Sequence, residues 1–333
     1  MIHLPSGETF EYWGERLRGR PFRTRFLFTK LVEVLTYKTS TGWRRGKPPM
    51  PAESILQARP TIIRNDVVPD STPGVVIPAK CSSPKDGKLL QRLLDALRGQ
   101  KAKVIVVNDG SSFWPNLPTA QTVLTFSESR GPAAARNAGI KAAVAVGANP
   151  ILMTDADCIP APTWVEDAVQ GFVENPYIHA ISGKTVSHGP SWFDAYHDIN
   201  GTLNGRRFKG THILLYGPTC NFAISQTVAR ATTFDEQFKH AACEDIDFCY
   251  RLLTAGYRLV HRDTMLIQHD YQFQPSRLVA NTVRFIRQFK RYASAEAVLL
   301  SNHPSYHFHF GQTEEIANAT GLNGHQKTGH SPT

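Results

Sequence analysis

Long apolar runs are absent from this 333-residue chain, and no stretch approaches the ~18–20 residues that a membrane-spanning helix needs. Cysteine is scarce. Cys81, Cys158, Cys220, Cys243 and Cys249 are odd in number and scattered, with no C-x-x-C pair. That excludes a disulfide framework or a thiolate zinc site as the organising principle, and it fits a reduced, cytoplasmic setting. The start, Met1-Ile2-His3-Leu4-Pro5, lacks the basic, apolar, small order of a secretory leader, so none is expected. Internal repeats, a helix-turn-helix signal and aromatic-interleaved basic strands are missing too. A nucleic-acid-binding module as the sole function is therefore disfavoured.

Acidic residues are outnumbered: 37 Lys and Arg against 28 Asp and Glu give a net charge of +9. Such an excess suits a phosphate-bearing partner, whether a nucleotide, an anionic membrane surface or a nucleic acid. The basic residues crowd at Arg16, Arg18, Arg20, Arg23, Arg25 and Lys30, and again at Arg284, Arg287, Lys290 and Arg291. A merely solvated basic surface explains the same count.

Residues 1–72 read as an extension. One amphipathic helix is expected over 22–37, followed by an arm containing Pro48, Pro49, Pro51, Pro60 and Pro69. From Pro73 to about residue 270, strand and helix signals alternate. Strands are expected at Gly74–Pro78, Lys103–Val107, Thr122–Phe126 and 150–154, with helices around Leu89–Leu97, Pro132–Gly147 and Pro162–Glu174. This alternation predicts an α/β fold, a mostly parallel sheet flanked by helices. Regularity fades between Tyr177 and Phe234, and a further helix runs from Glu244 to Ala255. A basic amphipathic helix is expected over 271–302, and the polar tail 303–333 is expected to be disordered.

Three expected strand ends carry chemistry. Ile151-Leu-Met-Thr154 ends in Asp155-Ala-Asp157, two oxygen donors for a hard cation and hence for a diphosphate. A solvated turn would use the same residues. Val107 runs into Asn108-Asp109-Gly110-Ser111-Ser112, a tight polar loop suited to a base edge. Gly131-Pro132 opens a helix carrying Arg136 and Asn137, and a helix N-terminus favours an anion. Arg136 would reach that anion or brace the aspartate loop. Helix-face hydrogen bonding accounts for Arg136 and Asn137 equally simply. The acids Glu244, Asp245 and Asp247 open another helix, where the dipole alone would favour them.

In order, these segments resemble the family 2 glycosyltransferases of the GT-A fold. The matching pieces are Val75–Pro78, Val106–Ser112, Gly131–Gly139, Asp155-Ala-Asp157, Gly217–Ile224, Phe234-Asp235, Glu244–Arg251 and Ala255-Gly256-Tyr257. Together they span residues 74 to about 270. The resemblance implies a GT-A domain at 73–270 that transfers a sugar from a nucleotide-sugar, UDP-sugar foremost, to an acceptor hydroxyl. The transfer would be inverting, metal-dependent and non-processive.

By that resemblance Asp245 is the general base, an ordinary aspartate kept ionised by its helix. Pro78, Ala79, Asp109, Arg136 and Asp155 bind the nucleotide-sugar, with Asp109 accepting from a base N–H. Asn221 and Glu244 face the sugars. Asp157 holds Mn²⁺ or Mg²⁺, and His269, after the strand Thr264–Gln268, completes the metal site unless it is merely structural. Gln288-Phe-Lys-Arg291-Tyr292 resembles the Gln-x-x-Arg-Trp signature of processive synthases. Those enzymes carry membrane helices, and none is expected here, so single-sugar transfer is expected.

The acceptor stays open among a glycan, a lipid-linked molecule, a small molecule and nucleic acid. The expected setting is cytoplasmic, with peripheral contact to the inner membrane face as an addition. The competing reading is a basic nucleic-acid- or membrane-binding protein with a vestigial sugar-nucleotide site.

Overall fold

The computed structural model describes residues 31, 32, 35, 55, 56, 63–117 and 122–316. Most of the expected N-terminal helix and proline-rich arm, and the last part of the expected tail, lie outside the described residues.

The central sheet has eight strands in the order β3-β2-β1-β4-β9-β6-β10-β5. These are β1 Gly74–Ala79, β2 Lys103–Asp109, β3 Thr122–Phe126, β4 Ile151–Thr154, β5 Cys158–Pro160, β6 Ala180–Ser187, β9 Asn221–Ile224 and β10 Leu259–His269. The β1–β2, β2–β3, β1–β4 and β6–β10 pairings are parallel. Those joining β4 to β9, β9 to β6 and β10 to β5 are antiparallel. The expected mostly parallel α/β sheet is present. A smaller sheet, β11-β7-β8, joins β7 Arg206–Phe208 and β8 Leu214–Tyr216 to β11 Thr313–Glu315.

Sequence explains the core strands directly. In β1 (GVVIPA), Val75, Val76 and Ile77 are all fully buried, as a strand covered on both faces must be. Val76 packs into one apolar cluster with helix α2 (Pro132–Ala145), while Val75 and Ile77 point into another with α1 (Pro84–Ala96) and α3 (Trp164–Glu174). Ser83 caps α1, its hydroxyl accepting from Asp86 N, and Pro84 takes the first helical turn. Gly139 lets α2 approach the sheet, because a Cβ there would collide with Val76.

Contacts cross the expected domain edges. Asn65 donates to the carbonyls of Phe172, Asn175 and Ile178, so residues 63–72 are tied to the main body. Helix α7 (Leu278–Asn302) buries Phe285 and Phe289 against Phe193 and Tyr196 of α4 (Trp192–Ile199). The beginning of the expected disordered tail is also structured. Residues Tyr306–Gly311 form α8, whose Tyr306 and Phe310 enter the main core, and Thr313–Glu315 pair with β7. Gly, Asn, His and Ser dominate only further along the tail, whereas 306–310 hold three aromatic residues.

The short α5 (Gln226–Ala231) and α6 (Glu244–Thr254) complete the fold. Among the described residues, no helix is long and apolar enough to cross a membrane.

Candidate active site

A cleft of about 710 Å³ opens beyond the carboxyl ends of β1, β2 and β4, where ligands collect in open α/β sheets. Its lining includes Pro78, Ala79, Asp109, Arg136, Asp155, Asp157, Glu244, Asp245 and His269. Nine of the ten residues singled out from sequence are therefore brought together.

The exception is Asn221. It is fully buried at the start of β9, where its Oδ1 accepts from Trp164 Nε1 at 2.8 Å. Its Nδ2 donates to the carbonyls of Lys184 and Met265, both at 2.9 Å. Every polar atom of that amide is used to tie β9, β6, β10 and α3 together. Asn221 therefore holds the sheet, and the expectation that it faces a sugar is overturned.

Asp109 reaches the cleft, but its oxygens are already engaged. Oδ1 accepts from Arg130 N at 2.6 Å, Oδ2 from Ser129 Oγ at 2.8 Å, and Gly131 N bridges both. Gly131 has φ +95°, and a Cβ there would meet the Lys239 carbonyl, so this loop depends on glycine. Three donors largely fill a carboxylate's four acceptor sites. Asp109 still lines the cleft with one acceptor site unfilled, which narrows the contact expected with a base N–H to that site.

The Asp-Ala-Asp motif is split between two partners. Asp155 accepts from Arg136 at 2.8 Å and stays about one-third exposed on the cleft wall. Arg136, only 2% exposed, reaches the other way to Glu244 at 2.7 Å. Burial disfavours the guanidinium charge, but the Asp155 and Glu244 carboxylates outweigh this and hold its pKa above the ordinary value. Arg136 thus braces Asp155 and Glu244, not the Asp109 loop it was expected to brace. Glu244 also accepts from Ala242 N at 2.7 Å, which fixes the entry to α6. Asn137 pairs with the backbone of Phe234 through both ends of its amide, the helix-face role read from its position.

Asp157 goes the other way. Strand β5 pairs with the end of β10 so that Cys158 sits opposite His269, and Asp270 N donates to the Asp157 carbonyl at 3.0 Å. His269 Nε2 consequently lies 3.5 Å from Asp157 Oδ1. Donor atoms of Asp157, Cys158 and His269 fall within 4.8 Å of one another. Burial pushes the Asp157 carboxyl up, as do Asp155 and Asp270, against the pull of His269.

A divalent cation would relieve that crowding of acids, and the buried His269 Nδ1 lacks a hydrogen-bond partner among the described residues. One oxygen and one imidazole nitrogen fit Mn²⁺ better than Mg²⁺, which takes oxygen almost exclusively. Cys158 fits poorly. Burial pushes its thiol well up, so it stays protonated and points at the Cys220 carbonyl.

Asp245 opens α6. Cys243 before it has φ +62°, a left-handed conformation costly for a residue with a side chain. The next two residues point about 100° apart. Glu244 goes down to Arg136, and Asp245 lines the cleft. Its carboxyl is not ordinary: burial first, then the Glu244 charge, raise it to about 7 despite Arg136. The expectation of a normal carboxylate kept ionised by its helix is corrected, because desolvation outweighs the dipole at this site.

Sequence reasoning missed the opposite wall. Arg284, Gln288, Arg291, Tyr292 and Glu296 of α7 line the cleft, joined by Tyr306 and Phe310 of α8. Cys243 Sγ points to the Tyr292 carbonyl at 3.9 Å, anchoring α7 over the start of α6. Gln288 donates to the Tyr292 hydroxyl at 2.8 Å. The helical spacing of 284, 288, 291 and 292 was the available signal. It marks one face, without saying what that face covers.

With this geometry in view, comparison with known proteins is informative. Residues 74–233 match the family model described as Glycosyl transferase family 2. Over that stretch, just under half of the chain, it is similar to the family 2 glycosyltransferases.

The chain is 29% identical over 212 residues to the pre-mycofactocin glycosyltransferase of Mycobacterium tuberculosis, in strains CDC 1551 / Oshkosh and ATCC 25618 / H37Rv. The match covers 60% of this chain and 43% of the relative, so the chain spans less than half the length of the curated relatives it matches. A solved mannosyltransferase, PcManGT from Pyrobaculum calidifontis in complex with GDP-Man and Mn²⁺, aligns at 15% identity and TM-score 0.44, over 90% of this chain and 87% of that one. A mycobacterial protein structure aligns at 16% identity and TM-score 0.43, over 69% and 74%.

Proposed function

We propose that this protein transfers a single sugar, with inversion, from a nucleotide-sugar to an acceptor hydroxyl. The observation that carries the proposal is the placement of Asp245 and Asp157 in one cleft of a chain similar to the family 2 glycosyltransferases, linked through Glu244, Arg136 and Asp155. Pro78 and Ala79 lie at the nucleotide end, with a UDP-sugar as the first donor to try. Asp157 and His269 would hold the divalent cation, Mn²⁺ ahead of Mg²⁺, and when bound it neutralises the departing diphosphate.

The rest is done by the chain. Asp245 accepts the acceptor's proton as the hydroxyl attacks the sugar carbon from the face opposite the diphosphate. Inversion needs one base and no second acid. Arg136 fixes Glu244 and Asp155 by ion pairs, which leaves Asp245, its pKa raised to about 7, to take the proton.

The donor site gives a direct test by isothermal titration of UDP. Binding is expected to strengthen at least tenfold when Mn²⁺ is added, and Asp157→Asn should remove that gain while leaving metal-free binding in place. An equal Mn²⁺ effect in the variant would take the cation away from Asp157.

The pH profile follows from Asp245. A base must be deprotonated, so kcat/KM should rise tenfold per pH unit below about 7 and level off above it. At pH 6 about one-tenth of the molecules carry the active form. A profile that falls with rising pH through 7 would reverse the assignment.

We place the activity in the cytoplasm, at the inner membrane face. The five cysteines are all buried and free, as a reducing compartment allows.

A further inference from the structure

We infer that the outer face of α7 is a docking surface for an anionic lipid bilayer. This gives the peripheral contact proposed above a specific element, and its test does not depend on turnover. Phe285, Phe289, Ala293 and Leu299 turn inward and are buried. The opposite stripe, at helical spacing, is Val279, Val283, Arg287, Lys290, Ser294 and Val298, and every one of these is exposed. Val279 is 78% exposed and its neighbour Leu278 63%, large apolar side chains left in water at the start of the helix.

Charge completes the pattern. Arg284, Arg287, Lys290 and Arg291 are all exposed, and the only acid on this 25-residue helix is Glu296, which is buried. An ordinary solvated helix intersperses both signs. One with apolar residues and unbalanced cations on its outer face suits the headgroup boundary of an anionic membrane. Nucleic acid would account for the cations, but not for Leu278, Val279 and Val283 standing exposed beside them. Because Arg284 and Arg291 also line the cleft, a membrane under this helix would lie close to the cleft's edge.

Vesicle flotation tests the inference with the full chain. Vesicles of phosphatidylcholine with roughly 30% phosphatidylglycerol are expected to carry the protein, and pure phosphatidylcholine vesicles to leave it behind. The pair Arg287→Glu and Lys290→Glu should weaken binding at least tenfold. Val279→Ser with Val283→Ser should remove the fraction that survives high salt.

All four positions lie outside the cleft, so nucleoside diphosphate release from a soluble donor should be unchanged. An unchanged thermal melt shows that each variant is folded. Unaltered flotation of either variant, equal binding to neutral vesicles, or no flotation at all would overturn the inference. So would displacement from anionic vesicles by short duplex DNA at equal phosphate.

Discussion

Asp245→Asn is expected to cut transfer by about 10²–10⁴-fold, the range for loss of a positioned general base, while donor affinity stays within about twofold. Two features of the site set this expectation. Asp245 is the cleft-lining carboxyl of α6 that no arginine among the described residues holds in an ion pair, because Arg136 spends both its terminal nitrogens on Glu244 and Asp155. Its pKa is raised to about 7, so the carboxylate is basic enough to take a hydroxyl proton and still largely ionised above neutrality. Asparagine keeps the volume and the bond from Ile246 N, which the Asp245 carboxylate accepts at 2.8 Å, so the start of α6 should not move. The rise of kcat/KM below pH 7 should vanish with the base. Residual transfer with that rise intact would place the base elsewhere.

Arg136→Met should destabilise the fold by about 3–5 kcal/mol, the usual cost of removing one partner from a buried ion pair. Glu244, 4% exposed at its side chain, would be left buried opposite no cation. In a domain of this size the melting temperature should fall on the order of 10 °C. The double variant Arg136→Met with Glu244→Gln should recover part of that loss, since both buried charges are gone. The chemistry should respond as well. Without Arg136, which pulls the Asp245 pKa down, the rise of kcat/KM should move to higher pH. A melting temperature within about 2 °C of the parent would mean that water, and not Arg136, solvates Glu244.

Much of the sheet-edge half of the cleft was legible in the amino-acid order. Apolar runs ending in Asp109 and in Asp155-Ala-Asp157 were read as strands with ligand groups beyond their ends, and β2 and β4 place those residues on one cleft. Strand spacing and a Gly-Pro helix start are local signals, which survive folding.

Roles that depend on tertiary partners did not survive so well. Asp109 and Asn221 invite ligand contact in the sequence, yet the first has three of its four acceptor sites taken by the 129–131 loop and the second is saturated by α3, β6 and β10 around β9. Neither partner is near in sequence: Trp164 lies 57 residues from Asn221.

His269 does lie beside Asp157, at 3.5 Å, but the cause of that juxtaposition is hidden in the sequence. It depends on β5, three residues long and too short for any period to reveal. Helix α4 did leave a trace, the Ser191–Asp194 capping box, but Asp at the third position is a weaker sign than Glu or Gln. The α7 wall was invisible for a simpler reason. Its polar face reads as surface until the cleft beneath it is known.

The central claim is that this cleft breaks a nucleotide-sugar at a divalent cation. Nucleoside diphosphate release from a panel of UDP- and GDP-sugars, with Mn²⁺, with Mg²⁺ and with chelator, tests it without the acceptor. Release from at least one donor is expected in Mn²⁺, faster than in Mg²⁺, abolished by chelator and reduced at least a hundredfold in Asp157→Asn. Release that persists undiminished in chelator and in Asp157→Asn, or none from any donor with either cation, would contradict the account.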